Sequence, residues 1–477
     1  MTPFVMVVFG ATGDLMRNKL LPALFSLFKK NQLGSEFFII GFARRPFTDD
    51  SFRKILIESI SNKDSVLVEK LLGNIYYQQG LFGEKKGYEQ LITKLNAFDK
   101  KMGACITRLF YLATPPNNYE TILDLLHKTK LSEGCGQGSS TCTRIIIEKP
   151  FGKDLETAKL LDKKLGEIFE EKQIFRVDHY LGKETVQNIL TFRFANGIFE
   201  PIWNNKFIDH VQITWAESRG IGVHDKFFDG VGLLRDVAQN HLMQLIAAVT
   251  MEQPKSFSRE GVRDARALAI KNIRRIDPSN VSRYVVSGQY KGYQEEKDVR
   301  KNSDTETFVA MKLYVDTDRF QDVPFYIRAG KKMPKNVVEI SIVFSQTSNI
   351  LFKEYGYRDI GNVLTIRIQP DEGISIRMLA KKPGTKLALK TVNMHFTYEE
   401  AFQTKGAEAY EKILVDIFAG DQMLFNRSDE LSSSWEFITK ILDGWSSDKS
   451  KVLIYKPGTW GPKEANELIE KDGRKWL

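Results

Sequence analysis

Segments typical of strands and of helices alternate over about the first 175 residues, and this alternation restricts the fold more than any other feature. A strand that is followed by a helix and a further strand usually pairs in parallel, with helices on both faces of the sheet. We therefore predict a doubly wound, mostly parallel, Rossmann-like sheet. Its apolar runs lie at residues 4–9, 37–42, 108–113 and 144–147, its helical stretches at residues 14–30, 119–130 and 154–172, and a Gly- and Ser-rich exposed loop at residues 132–141.

The pattern changes near residue 175. Beyond it, strands follow one another with few helices between them, which predicts an antiparallel sheet. The sequence thus predicts an α/β domain, residues 1–175, and a larger α+β domain, residues 176–477, with a mainly antiparallel sheet. The strands of the second domain are expected at residues 211–215, 284–290, 307–315, 323–328, 337–344, 363–368, 374–379 and 392–398, and its helices at residues 229–251, 408–423 and 429–442.

The composition is that of an ordinary globular chain with an excess of positive charge. Of the 477 residues, 42% are hydrophobic and 27% are charged, and the formal net charge is +9. A basic surface attracts anions, either nucleic acids or small phosphates. The basic residues form no long tract, which favours phosphorylated metabolites and nucleotide cofactors over a nucleic-acid groove.

Membranes and oxidising compartments are also disfavoured. No apolar run has the length of a membrane span, and no basic region precedes the first apolar run, so we expect neither a transmembrane helix nor a signal peptide. The cysteines Cys105, Cys135 and Cys142 lack metal-type spacing, and their odd number argues against a disulfide framework. We therefore expect a cytoplasmic protein, and we expect no metal site in it.

The turn after the first strand is a candidate phosphate site. In the segment Phe-Gly-Ala-Thr-Gly-Asp-Leu at residues 9–15, Gly10 and Gly13 allow a tight turn and the close approach of a pyrophosphate to a helix start. Thr12 stands where the usual G-x-G-x-x-G motif has its second glycine, and two glycines in such a turn are often merely structural. The position directly after a first strand favours dinucleotide binding.

The end of the second strand indicates which dinucleotide is bound. Folds that bind NAD usually place an acid there for the ribose hydroxyls. Here Arg44 and Arg45 follow the strand, and guanidinium groups recognise phosphate through paired hydrogen bonds. This predicts NADP, whose 2′-phosphate the arginines would bind, although two arginines in a loop are also ordinary surface residues.

An acid, an imidazole and an ammonium group lie close together in the segment Arg-Val-Asp-His-Tyr-Leu-Gly-Lys-Glu at residues 176–184. On a turn leading into a helix, His179 and Lys183 would lie one turn apart and face the same way, which suits a phosphorylated ligand. Asp178 is placed to orient a catalytic histidine. A solvated helix start with surface charges explains the same spacing about equally well.

Five motifs together closely resemble the glucose-6-phosphate dehydrogenase family over nearly the whole chain. The resemblance implies a dinucleotide-binding domain and a β+α domain whose antiparallel sheet supports a homodimer or tetramer. It also implies oxidation of the C1 hydroxyl of glucose 6-phosphate to 6-phospho-D-glucono-1,5-lactone with reduction of NADP, the entry step of the oxidative pentose phosphate pathway. The motifs are the segments at residues 10–15, 148–152, 176–184, 235–241 and 328–331.

The resemblance also implies roles for individual residues. His241 matches the base that removes the hydroxyl proton, and Asp178 matches the carboxylate that orients it. On its own, a histidine in an apolar helix is more often a core residue, and acids such as Glu217 and Asp236 are more often surface groups. The implied substrate ligands are Lys149, His179, Lys183, Glu217, Asp236 and Lys331, and the implied cofactor ligands are Gly10, Thr12, Gly13, Asp14, Leu15, Arg44 and Lys149.

The chain departs from the family pattern at one position. The family usually has a second basic residue five positions after the lysine at 331, whereas this chain has Asn336, preceded by Lys335. Either Lys335 substitutes through a shifted register, or this part of the substrate site is weaker.

Three other functions compete with this interpretation. The first alternative is an NADP-linked oxidoreductase of the same two-domain plan that acts on another phosphorylated sugar. The second is a non-enzymatic sensor on a degraded dehydrogenase scaffold. Asp178, Lys183 and His241 argue against a sensor, because a sensor needs no base. A nucleic-acid binder is disfavoured because the chain lacks an RNP-type motif and a helix-turn-helix signal.

Overall fold

The computed structural model places its secondary-structure elements in two compact units. It describes residues 2–60, 65–134, 142–222, 228–346, 352, 355, 361–403, 406–447 and 452–477. The strands are β1 Phe4–Phe9, β2 Phe37–Ala43, β3 Ile75–Gln79, β4 Thr107–Leu112, β5 Thr143–Glu148, β6 Ile174–Val177, β7 Ile208–Ala216, β8 Val285–Tyr290, β9 Phe308–Leu313, β10 Phe325–Gly330, β11 Val337–Phe344, β12 Val363–Gln369, β13 Gly373–Lys381, β14 Leu389–Thr397, β15 Phe425–Asn426 and β16 Leu453–Tyr455. The helices are α1 Leu21–Lys29, α2 Asp49–Ile57, α3 Ser65–Leu72, α4 Lys85–Met102, α5 Tyr119–Lys128, α6 Leu155–Gly166, α7 Glu184–Ala195, α8 Met243–Thr250, α9 Arg259–Lys271, α10 Val281–Tyr284, α11 Tyr398–Phe402, α12 Ala409–Ala419, α13 Ser428–Ser447 and α14 Glu464–Glu470. Short π-helices at Met16–Leu20 and Leu234–Leu242 lead directly into α1 and α8.

The two units do not follow the chain continuously. The first unit comprises Met1–Gly182, Ser256–Arg263 and Ala407–Ser432, and the remaining residues form the second unit. The predicted domains, residues 1–175 and 176–477, are contiguous, so they do not coincide with these units residue for residue. The assignment of one domain to NADP and the other to the substrate stays a prediction.

The first unit contains the predicted parallel sheet. Its strand order among the described residues is β15-β6-β5-β4-β1-β2-β3. All neighbouring strands from β6 to β3 are parallel, and only the short β15 runs antiparallel to β6. Every residue of β1 is buried, as expected for a strand covered on both faces. Because β1 pairs with β2 on one side and β4 on the other, the strand order reverses there, where such sheets bind ligands at the carboxyl ends of their strands.

The second unit contains the predicted, mainly antiparallel sheet. Among the described residues its order is β14-β13-β12-β11-β7-β10-β9-β8-β16. The strands pair antiparallel except for β7 with β10 and β8 with β16. The parallel pair of β7 and β10 places their carboxyl ends side by side, since Ala216 pairs with Gly330.

Several sequence expectations need correction. The helix expected at residues 229–251 divides into the π-helix Leu234–Leu242 and α8, and the strand β3, Ile75–Gln79, was not predicted. The loop expected at residues 132–141 lies mostly outside the described residues. Cys105 is disulfide-bonded, whereas Cys142 has a free thiol, so the odd number of cysteines does not prevent a single disulfide. An odd number of cysteines excludes only complete pairing.

Among the described residues, no helix combines the length and the apolar character that a membrane span requires.

Candidate active site

The turn after β1 has a shape that only glycine permits at its first position. Gly10 has a φ of +83°, and a Cβ there would lie 2.4 Å from the main-chain oxygen of Ala113. Its N–H donates to the oxygen of Phe42 at 2.8 Å, and the N–H of Gly13 donates to the oxygen of Gly10 at 2.9 Å. The turn is therefore held close to the neighbouring strands and opens into a helix at residue 14, which fits the predicted pyrophosphate site. Thr12 and Leu15 are half-buried there and Asp14 is exposed.

Arg44 lies directly after β2 and is exposed, as is Arg45. The hydroxyl of the buried Tyr77 donates to the main-chain oxygens of Ala43, at 3.0 Å, and of Arg45, at 2.5 Å. These bonds fix the main chain while the guanidinium groups remain accessible. Since β1 and β2 are parallel neighbours, the arginines and the glycine turn both follow the carboxyl ends of adjacent strands. This arrangement fits a dinucleotide that carries an additional phosphate.

Lys149 follows β5 and is half-buried, with a cis peptide bond to Pro150. The carboxylate of the preceding residue, Glu148, accepts hydrogen bonds from the hydroxyls of Tyr111 and Tyr410, the latter at 3.1 Å. Burial raises the pKa of Glu148 to about 7, despite the hydrogen bonds and the charge of Lys149, which favour the ionised form. The sequence motif at residues 148–152 contained Glu148, but no sequence signal pointed to Tyr410.

Asp178 and His179 lie in a turn after β6, again at the carboxyl end of a parallel strand. Asp178 is buried, and its Oδ1 accepts a hydrogen bond from the N–H of Tyr180 at 3.1 Å. The ring of His179 stacks against Tyr410 with 6.2 Å between the ring centres. The helix α7 begins only at Glu184, with Lys183 as its N-cap, so the predicted helical spacing of His179 and Lys183 is wrong. Residues 178–182 form turns because the main-chain oxygens at 178 and 179 accept from N–H groups three residues later.

In the second unit, His241 lies in the π-helix Leu234–Leu242 and is buried, with 1% of its surface exposed. Its ring stacks on the indole of Trp215, with 5.3 Å between the ring centres and an angle of 1° between the planes. Asp236, one of the predicted sugar ligands, is half-buried in the first turn of the same π-helix. Short π-helical segments are rare and are frequent at functional sites.

A buried acid holds the start of this π-helix. The carboxylate of Glu306 accepts a hydrogen bond from the N–H of Leu234 at 2.9 Å. Gly232 provides the space, since a Cβ there would lie 2.2 Å from the carboxylate oxygens. Burial raises the pKa of Glu306 to about 7. Sequence reasoning did not identify Glu306, which belongs to no quoted motif.

Glu217 and Lys331 follow the parallel strands β7 and β10 and form an ion pair. The Nζ of Lys331 lies 2.7 Å from Oε2 of Glu217, and Nε1 of Trp215 donates to Oε1 of Glu217 at 3.3 Å. Lys331 is buried, with 5% of its surface exposed, whereas Glu217 is half-buried. The structure therefore brings together two of the predicted substrate ligands, and Trp215 links them to the predicted base.

The remaining predictions concern Lys183 and position 336, where this chain has Asn336 in place of the usual basic residue of the family. The Nζ of Lys183 donates to Oε1 of Gln369 at 2.8 Å, a partner that no sequence spacing indicated. Asn336 accepts hydrogen bonds at its Oδ1 from the N–H of Ser218, at 2.7 Å, and from the hydroxyl of that serine. Lys335 is exposed, and its Nζ lies 5.8 Å from the centre of the Trp460 ring. Asn336 thus stabilises the segment after Glu217, and whether Lys335 replaces the missing basic group stays a prediction.

Comparison with known families gives this arrangement a context. The family model described as glucose-6-phosphate dehydrogenase, C-terminal domain, matches residues 190–477, which is more than half of the chain. The chain belongs to the glucose-6-phosphate dehydrogenase family. The NAD binding domain model of the same family matches residues 7–188. The resemblance drawn from the five motifs is confirmed.

Individual relatives agree over the full length. The glucose-6-phosphate 1-dehydrogenases of Chlamydia pneumoniae and Borreliella burgdorferi are 43% and 42% identical to this chain, covering 99% and 98% of it and 96% and 97% of their own lengths. A solved glucose-6-phosphate dehydrogenase in complex with its substrate glucose-6-phosphate superimposes with a TM-score of 0.91 at 33% identity. That match covers 100% of this chain and 99% of the solved one, so the predicted fold class is confirmed.

Proposed function

We propose that this chain oxidises glucose 6-phosphate at C1 to 6-phospho-D-glucono-1,5-lactone and reduces NADP, the entry step of the oxidative pentose phosphate pathway. The observation that carries the proposal is the group formed by Glu217, Lys331, Trp215 and His241 in the second unit. A buried imidazole is suited to remove a hydroxyl proton, and a fixed ion pair is suited to align the sugar that carries it. Membership of the dehydrogenase family supports this reaction over one on another class of substrate.

Each of the candidate site residues has a proposed part in the reaction. His241 accepts the proton of the C1 hydroxyl, and Asp178 is assigned as its orienting carboxylate on the resemblance alone. Glu217, Asp236 and Lys331 hold sugar hydroxyls, because a carboxylate accepts and an ammonium donates hydrogen bonds. The cations proposed to bind the substrate phosphate are His179 and Lys183, and Lys149 is proposed to contact both substrate and cofactor.

NADP, if bound, would supply the hydride acceptor for C1. The chain would hold it: the glycine turn with Gly10 and Gly13 would approach the pyrophosphate, and Thr12, Asp14 and Leu15 line the turn. Arg44 is proposed to bind the 2′-phosphate, because its guanidinium is exposed at the end of β2. The half-buried turn and the exposed arginine, at the strand ends where such sheets bind ligands, support this assignment.

The deciding experiment follows reduced-nicotinamide absorbance with the purified chain. We expect turnover with glucose 6-phosphate and NADP, slower turnover with NAD, and weak turnover with galactose 6-phosphate or mannose 6-phosphate. Faster turnover with another sugar phosphate would transfer the proposal to that substrate. Binding of glucose 6-phosphate without any turnover would indicate a sensor.

We also propose a cytoplasmic homodimer or tetramer assembled through the sheet of the second unit. Charged sugar phosphates and NADP do not cross membranes unaided, which favours a location where both are made. The outer strands β13 and β14 expose Met378, Val392 and Met394, and such apolar patches mark protein interfaces. Light scattering should show a smaller particle for Met394→Glu but not for Ile198→Glu, a control at an apolar residue elsewhere in the second unit that is even more exposed.

A further inference from the structure

Trp215 lies where the strand β7 meets the candidate site. It is the penultimate residue of β7, and it is buried, with 4% of its surface exposed. The strand is fixed on both sides, because Trp215 pairs with Ala329 of β10 and with Val338 of β11. An indole held on a central strand has little freedom to move, so it can act as a reference for the groups that contact it.

The face of the indole contacts the proposed base. The ring of His241 lies parallel to it, with 5.3 Å between the ring centres and 1° between the planes. A parallel, offset stack restricts rotation of the imidazole about its Cβ–Cγ bond. A base accepts a proton in the plane of its ring, so a fixed plane determines the direction from which the hydroxyl proton is taken. Once protonated, the imidazolium also gains a cation–π interaction with the indole.

The edge of the same indole contacts a proposed substrate ligand. Its Nε1–H donates to Oε1 of Glu217 at 3.3 Å, while Oε2 of Glu217 lies 2.7 Å from the Nζ of Lys331. Lys331 is itself fixed, since its N–H donates to the oxygen of Thr307 at 2.9 Å and its oxygen accepts from the hydroxyl of Tyr455 at 2.6 Å. The carboxylate is therefore held from both sides in one orientation.

We propose that Trp215 is a positioning residue for the dehydrogenase reaction, whose indole face sets the plane of His241 and whose N–H sets the orientation of Glu217. The inference rests on the proposed function, because it assigns Trp215 a task in that reaction. One ring thus links the group that removes the proton to a group that holds the sugar, and the two contacts are separable by substitution.

Kinetics of two substitutions test the two contacts. Trp215→Phe keeps an aromatic face but removes the N–H, so KM for glucose 6-phosphate should rise about 10-fold while kcat stays within about 2-fold. Trp215→Leu removes both, so kcat should in addition fall by about 10- to 30-fold. The matched control is Trp203→Phe, since Trp203 is also buried in the second unit and donates its N–H to the oxygen of Val249. The KM and kcat of Trp203→Phe should not change, even if its melting temperature falls as much as that of the Trp215 variants.

The outcomes separate this inference from the proposed function. If the unmodified chain does not oxidise glucose 6-phosphate, the proposed function fails. If it does, and both Trp215 variants fold and keep KM and kcat within about 2-fold, the positioning role is wrong. The same holds if Trp215 and Trp203 variants lose activity only in proportion to their loss of stability.

Intrinsic fluorescence tests the stack without any change at Trp215, in case its variants do not fold. An imidazole in contact with an indole quenches the indole emission. His241→Asn should therefore increase the tryptophan emission of the full chain, whereas His395→Asn, at an exposed residue of β14, should not. Unchanged emission in His241→Asn would overturn the inference.

Discussion

The two units hold their proposed ligand groups by different means. In the first unit, the proposed cofactor site is a matter of main-chain shape: Gly10 allows the turn, and the nearby cation Arg44 is exposed. In the second unit, the proposed substrate ligands Lys331 and Glu217 are buried or half-buried charged side chains, and each is held by another side chain. The first kind of site tolerates solvent. The second depends on the exclusion of water, because a lower dielectric strengthens the electrostatic interactions of each charge.

This difference teaches which property a substitution should change. A change in the glycine turn alters the path of the chain and therefore local stability and cofactor affinity together. A change among the side chains of the proposed substrate site in the second unit leaves the chain path intact and alters substrate binding or the chemical step. The four predictions below test this distinction.

Removal of the base should have the largest effect. His241→Asn should lower kcat by about 10³- to 10⁴-fold, equivalent to about 4–5.5 kcal/mol, because no other group would take the hydroxyl proton. Affinity for glucose 6-phosphate, measured by calorimetry, should remain nearly unchanged. His395→Asn is the matched control, and near-normal turnover of His241→Asn would contradict the assignment.

Filling the glycine turn should follow. Gly10→Ala should destabilise the first unit by about 3 kcal/mol, because its Cβ would lie 2.4 Å from the oxygen of Ala113 at a φ of +83°. Gly103→Ala is the control for the conformation alone, since Gly103 has a φ of +65° with no atom within 4 Å of its Cβ. Its cost should be about 1 kcal/mol. Equal shifts of the melting temperature in both variants would argue against a sterically closed turn.

The buried acids predict a pH dependence of stability with a definite sign. The pKa of Glu306 is raised to about 7, so the folded state favours the protonated carboxyl. Its contribution to stability is complete below the pKa of the unfolded chain, near 4.5, and is lost as the pH rises through 7. From pH 5.5 to 8.5, the wild-type chain should lose about 2 kcal/mol more free energy of unfolding than Glu306→Gln, which cannot ionise.

Glu148 in the first unit provides the comparison for this experiment. Its pKa is also raised to about 7, so the sign is the same. The effect of Glu148→Gln should be of similar size, because burial, only partly offset by the hydrogen bonds from Tyr111 and Tyr410, raises the pKa of Glu148 to the same value. Chemical denaturation at pH 5.5 and 8.5 measures the free energy of unfolding of both variants. If the stability of a variant falls with pH as steeply as that of the wild type, the raised pKa assigned to that residue is wrong.

The cofactor cation should have the smallest effect. Arg44→Ala should weaken NADP binding by about 10-fold, or about 1.5 kcal/mol, because it removes a charge-assisted hydrogen bond from an exposed group. NAD lacks the 2′-phosphate, so its affinity serves as the internal control and should hardly change. Equal losses for NADP and NAD would count against a contact with this phosphate.

Much of the fold was readable from local patterns. The alternation of apolar runs and helical stretches predicted the parallel sheet, and the absence of helices between later strands predicted the antiparallel one. The long helix at residues 229–251 was predicted only in part, because apolar periodicity does not distinguish the π-helix Leu234–Leu242 from the α-helix that follows. The strand β3, with the sequence Ile-Tyr-Tyr-Gln-Gln, was missed although Gly73 and Asn74 precede it, because two glutamines end its apolar run after three residues.

The candidate site divides in the same way. Gly10 and Arg44 were recognisable because their function depends on a residue type at a fixed place beside a strand, which is a local property of the chain. The partners of the charged groups were not recognisable. Lys183 meets Gln369, 186 residues later, and Glu148 meets Tyr410, 262 residues later, so no spacing in the chain relates them.

What a short stretch of chain encodes, namely a strand, a tight turn or a motif, was therefore available before any coordinates. The state of the functional groups was not, since burial gives Glu306 its raised pKa, and a strand and a helix from separate parts of the chain bring Trp215 against His241. Both depend on which surfaces exclude water once distant segments pack together, and packing of this kind leaves no periodic trace along the sequence.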